Sequence, residues 1–191
     1  MRAVLADRTG AVHRELHVHP HLSRLASADL RLDEYTRLLS AFQGFFSALE
    51  ARREALEIDP RLGVRPALDR LEADLSRLEA TVNEVPCDLT WIATPAQGLA
   101  ALYVLHGSAF GALSLGQCVQ RSLTGVPRSY LSGGVDRAVW AALVGALDEA
   151  ATADPTAVDL MVRAAEQTFR AYGAWITRLC ATPVRPSRPG W

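Results

Sequence analysis

From Leu89 to Gln120 the chain carries no Asp, Glu, Lys or Arg. Such a run has two physical homes. A bilayer takes about 20 apolar residues as one spanning helix, and a helical domain takes a helix that is apolar on every side at its centre. The interruptions decide between them. Gln97, His106, Ser108, Ser114 and Gln117 fall inside the run with several glycines, and no cationic anchor stands close to its N-terminal end. The run therefore predicts the central helix of a helical domain and no membrane span.

A central helix needs amphipathic partners, and the flanks supply them with helical periodicity nearly throughout. A first helix reads from about Val4 to His17 and stops before Pro20. A second begins near Asp33, a candidate N-cap, and runs to about Ile58 with Leu38, Leu39, Phe42, Phe45, Phe46 and Leu49 on one stripe. A third covers about Val64 to Val82, with Leu68, Leu71, Leu75 and Leu78 opposite a solvated charged face. Pro86 and Pro95 punctuate the connection from Asn83 to Thr94, and Thr94 can cap a helix opened by Pro95, spanning about 95–123. The turn-rich GVPRSYLSGG reads as a loop. Further helices follow from about Val135 to Ala151 and from Thr156 to Cys180, separated at Asp154-Pro155. No segment alternates with period two, and no strand–Gly-rich–helix unit appears. The expected fold is all-α: a single-domain helical bundle of about six to eight helices over residues 1–182. The proline-rich residues 183–191 are expected to form a flexible tail.

Composition narrows the function classes. The chain has 191 residues, 49% of them apolar, and a net charge of −1. That suits one folded domain and excludes intrinsic disorder. It also lacks the basic surplus of a nucleic-acid binder. All 20 basic residues are arginine, so anion contacts fall to planar, permanently charged guanidinium groups. Cys87, Cys118 and Cys180 have no CxxC spacing, which fits neither a disulfide framework nor a zinc knuckle. Asp7, Arg8, Arg14 and Glu15 occupy the place where a signal peptide needs an apolar core. Together these predict a reducing, cytoplasmic location.

Two constellations carry chemistry. His13, His17, His19 and His21 crowd into nine residues, with His106 far away. HExxH is absent, and no histidine has Glu three residues before it, so zinc-protease and di-iron patterns fail. His17, His19 and His21 read as surface or capping groups. His13 lies beside Val4, Leu5, Val12 and Leu16, and reads either as a satisfied core histidine or as a heme ligand. The second constellation is His106-Gly107-Ser108-Ala109-Phe110-Gly111-Ala112, with Gly116 following. Glycine inside a helix costs about 1 kcal/mol relative to alanine. Either another backbone approaches there, or a flat ligand lies against bare backbone.

Taken in order, the two constellations resemble the biliverdin-producing heme oxygenases, most closely the bacterial, phytochrome-associated branch. Thr9 and His13 keep that branch's Thr-x-x-x-His. Leu102, Tyr103, Val104, Leu105, Gly107, Ser108 and Gly111 keep its second motif, and YLSGGVDRAVWAALVGALD and QTFRAYGAWI follow in the family's order. The resemblance implies a heme oxygenase-like fold and cleavage of heme to biliverdin, CO and iron. Heme would be both substrate and cofactor, consumed with O2 and an external electron donor such as ferredoxin or a flavin reductase. A bacteriophytochrome would be a possible recipient of the biliverdin.

By the same resemblance His13 would be the axial iron ligand. Gly107, Ser108 and Gly111 would form the distal catalytic wall, Phe169 would pack near heme, and Arg137 would pair with a propionate. Three positions depart from the pattern: His106 replaces an acid, Ala112 a glycine, and Ala6 a basic residue for which Arg2 or Arg8 could substitute. These departures also fit a non-catalytic heme carrier or sensor. Other readings are a plain helical interaction protein and a thiaminase-like enzyme using Cys118, whose uncharged surroundings do not activate a thiol.

Overall fold

The computed structural model describes residues 1–80 and 87–181. Among them the regular elements are eight α-helices and two short 3-10 turns, with no strand. The helices are α1 (Arg2–Arg8), α2 (Gly10–His17), α3 (Leu32–Ala55), α4 (Arg65–Arg77), α5 (Pro95–Ser122), α6 (Ser129–Ser132), α7 (Arg137–Ala153) and α8 (Ala157–Ala181). The 3-10 turns cover Leu22–Ala26 and Pro60–Leu62.

α5 is the uncharged run, and it sits at the centre, packed by α3, α6, α7 and α8. Among the described residues it is the one helix long and apolar enough to cross a membrane by length and composition, yet in this fold it serves as the core helix. Its start is fixed as expected: Thr94 Oγ1 accepts from the Gln97 backbone N–H, and the Gln97 side chain accepts in return from Thr94 N–H at 3.0 Å. The α3 stripe Leu38, Leu39, Phe42, Phe45, Phe46 and Leu49 is buried throughout, as are Leu68, Leu71 and Leu75 of α4. Each such side chain contributes about 1.5–3 kcal/mol by leaving water. Phe42 and Phe45 meet Tyr172 of α8 at ring-centroid distances of 5.9 and 4.9 Å. Nearby, Trp175 Nε1–H donates to Ala41 O at 2.8 Å.

Several boundaries differ from expectation. The first helix is two, because the Thr9 hydroxyl bonds back to Leu5 O at 2.7 Å and Gly10 follows; both residues hold helix weakly. α3 begins at Leu32, not behind an Asp33 cap. Glu34 accepts from the Arg31 N–H at 2.9 Å, while Asp33 pairs with Arg31 and Arg37. α4 ends at Arg77, and the expected continuation to Val82 and the connection from Asn83 reach outside the described residues, as does the expected tail 183–191.

The GVPRSYLSGG segment contains the short α6 instead of only loop. The buried carboxylate of Asp74 holds it there, accepting from the Ser129 N–H and Tyr130 N–H at 2.9 Å each and from the Ser129 hydroxyl. Asp74→Ala leaves three donors without their acceptor and is expected to cost about 3 kcal/mol, read as a lower urea midpoint with α6 losing amide-exchange protection. A midpoint within error of the parent would show that Asp74 does not anchor α6.

Candidate functional site

α2 places His13 on the bundle's rim. Leu5 and Val12 take the buried positions of this opening segment, so the imidazole is exposed at the surface rather than turned into the core. One side of the ring rests against Phe169 of α8, with centroids 5.6 Å apart, and the His17 ring meets it edge-on at 4.6 Å. Partial burial, then the charges of His17 and Arg14, hold its pKa below the ordinary histidine value. The neutral form, whose lone pair can bind a metal, is thereby favoured. α8 can approach α2 this closely because Gly173 leaves space. A Cβ there would lie 3.1 Å from Leu16 and 3.6 Å from His19. Phe169 also walls a groove of about 290 Å³ between the two helices, with Val12 and Leu16.

The second candidate stretch is a gap in the packing of α5. Ala101, Ser108, Ala112 and Val119 share one helix face by their spacing. Ala101, Ala112 and Val119 are 0, 6 and 0% exposed, yet Ser108 between them is open, as is neighbouring Gly111. A Cβ on Gly111 would meet nothing within 4 Å, and one on Gly107 would meet only Trp140 at 3.9 Å. Gly116 is different: its Cβ would press on Leu131 at 3.2 Å. Close helix packing therefore explains Gly116 but not Gly111. Phe110 and Leu113 stand exposed beside this bare backbone, and Trp140 of α7 stacks on Tyr103 and meets Phe110 edge-on.

Ser108 Oγ donates to Leu105 O at 2.7 Å and hydrogen-bonds Tyr130, whose phenol burial pushes up. The sequence does not single out Tyr130, because it lies in a turn-like stretch with no periodicity to place it.

The remaining candidates separate clearly. Arg137, at the start of α7, is exposed and has no hydrogen bond or ion pair among the described residues. Arg2 of α1 lies near enough to Tyr103 for its charge to act on that phenol, while Ala6 is exposed. His106 is turned away from the open face. Its Nε2–H donates to Leu62 O at 2.9 Å, tying α5 to the 3-10 turn. The Ala112 methyl is buried in packing rather than standing in the gap. His19 is fully engaged, with Nε2–H directed at Gly173 O and Thr177 Oγ1 and Nδ1 accepting from the His21 N–H at 3.3 Å. Cys118 has the Arg121 guanidinium as its hydrogen-bond partner, 3.1 Å from Sγ.

His13, His19 and His106 all have pKa values lowered chiefly by burial. The unfolded chain binds these protons first as pH falls, so their contribution is fully present above about 6.5 and is lost below it. Each such histidine changes stability by at most about 1.4 kcal/mol per pH unit. Urea midpoints are expected to fall between pH 7.5 and 5.5, and a flat profile would contradict the assignment.

No protein-family model matches this sequence, and no curated protein does. Solved structures do match the fold. One is the heme oxygenase from Leptospira interrogans, with a TM-score of 0.73 and 18% identity over 93% of this chain and 98% of that one. The chain has the heme oxygenase fold. Another match, heme oxygenase-1 from the cyanobacterium Synechocystis in complex with heme, has a TM-score of 0.70 and 15% identity over 92% of this chain and 90% of that one. The donor and apolar groups present on this fold are of the kinds a heme needs. A neutral-favoured imidazole stands beside an aromatic ring, the α5 backbone at Gly111 is bare, and the exposed apolar side chains Phe110 and Leu113 border it.

Proposed function

We propose that this protein is a heme oxygenase that opens heme to biliverdin, CO and iron. The observation that carries this reading is Gly111: a glycine kept in the middle of a long helix, at a cost of about 1 kcal/mol, where a side chain has room. Packing gives no reason for it, whereas a flat ligand held against the backbone does. The fold likeness agrees with it, since one neighbour is a heme complex.

Heme, when bound, supplies the iron that activates dioxygen and is itself the substrate. The chain's residues do the rest. His13 would hold the iron as a neutral imidazole, with its ring resting against Phe169. Gly107 and Gly111 would leave backbone without side chains facing the heme, so that only small groups would fit there. Ser108, positioned by Leu105 O and Tyr130, orders water and passes protons without carrying charge itself. The planar guanidinium of Arg137 suits a propionate bidentately, and Arg2 takes over the anchoring that Ala6 cannot provide. Electrons come from an external donor such as ferredoxin or a flavin reductase. A bacteriophytochrome is the proposed recipient, in keeping with the resemblance to the phytochrome-associated branch, and the reducing cytoplasm is the proposed location.

Titrating the protein with hemin tests the proposal. A Soret band saturating at one heme per chain, then replaced under ascorbate and air by the long-wavelength absorption of biliverdin, is the expected result. A Soret band that persists under turnover conditions would make the protein a heme carrier, and no saturable band would remove the heme reading.

A further inference from the structure

Of the four histidines near the N-terminus, His19 has both ring nitrogens engaged. His13 and His17 are in the opposite condition. Both are exposed, and neither ring has a hydrogen-bond partner among the described residues. They stand four apart on α2, so they share a helix face, and their rings already touch with centroids 4.6 Å apart. Two imidazoles at this spacing on a rigid helix form a chelate, the arrangement by which paired helical histidines hold zinc. No group of three or more His, Cys, Asp or Glu ligands occurs among the described residues. The pair therefore offers two nitrogens and leaves the other positions to water, a donor set that suits late first-row divalent ions.

We propose that His13 and His17 together form a binding site for a divalent transition-metal ion in the heme-free protein, and that this ion competes with heme. The competition rests on the heme reading, because the ion occupies the His13 nitrogen that heme iron would need. The metal site does not depend on that reading. In this assignment His13 alone holds heme, so the role of His17 is confined to the heme-free state. Binding of a free metal ion and loading of heme are then mutually exclusive, and the protein accepts heme most readily when loosely held divalent metal is scarce.

Ni2+ titrated into the heme-free protein by calorimetry, with His17→Ala, His13→Ala and His21→Ala in parallel, tests the site. One ion per chain is expected. Each of the first two variants should weaken it roughly tenfold or more, because the second ligand of a chelate binds at high effective concentration. His21→Ala should bind as the parent does. Parent-like affinity in His17→Ala, or loss in His21→Ala, would overturn the proposal. In the second arm, saturating Ni2+ is expected to weaken heme binding roughly tenfold in the parent but not in His17→Ala, since that variant lacks the chelate. Heme binding indifferent to Ni2+ in the parent would overturn the competition. A parent that binds no heme even without metal would sink the functional reading and the competition with it, while the Ni2+ isotherms still decide the metal site.

Discussion

His13→Ala is expected to lower heme turnover on the order of a hundredfold or more and to replace the imidazole-ligated heme spectrum with that of loosely held heme. The reasoning is local. His13 is exposed, and its ring contacts are Phe169 and His17, so removing it creates no core cavity and circular dichroism should be unchanged. What is lost is one coordinate bond and the orientation it imposes. Added imidazole, small enough to occupy the vacated space, should restore part of the spectrum. Unaltered ligation and turnover in this variant would move the axial ligand elsewhere, and His17 would be the first alternative.

Gly111→Leu is the converse experiment, acting on the proposed distal wall. Because a Cβ there meets nothing within 4 Å and Gly111 is exposed, the substitution starts without a clash at the backbone. Leucine also holds helix better than glycine by roughly half to one kcal/mol. The heme-free variant is therefore expected to be as stable as the parent or more so. The leucine nevertheless covers the bare backbone beside Ser108, and heme turnover is expected to drop roughly tenfold or more through lost binding or lost dioxygen geometry. Stability rising while activity falls separates a ligand-facing glycine from a packing glycine. At Gly116, where a Cβ would lie 3.2 Å from Leu131, the same change should destabilise the fold. Full activity in Gly111→Leu would show that the open face is not the distal wall.

The fold is largely readable from the sequence because its signals are periodic. The uncharged α5, the phenylalanine stripe of α3 and the leucines of α4 announce both their helices and their buried faces. Ends set by side-chain chemistry are harder. The break at Thr9 depends on a hydroxyl choosing the Leu5 carbonyl, and α6 exists because Asp74, 55 residues away, reaches Ser129. Neither is a property of a local window.

The candidate site divides in the same way. Gly107, Ser108 and Gly111 stand out because glycine is costly in a helix, and the structure shows which glycine packing explains. For His13 the apolar neighbours leave burial in the core as one reading, and the ring is exposed because Val12 and Leu5 take that burial instead. The departure at His106 reads as a change to the site, yet its bond to Leu62 O makes it a tie between α5 and the Pro60–Leu62 turn. Tyr130 gives no sequence signal at all, because its relevance comes from meeting Ser108 across the fold.

The most direct test of heme cleavage by this chain is the CO released per heme in a single turnover, with catalase present to remove free peroxide. One CO for each heme consumed, accompanied by an equal amount of biliverdin, is the expected yield. Intact heme recovered with no CO, under conditions where heme is bound and reduced, would contradict it.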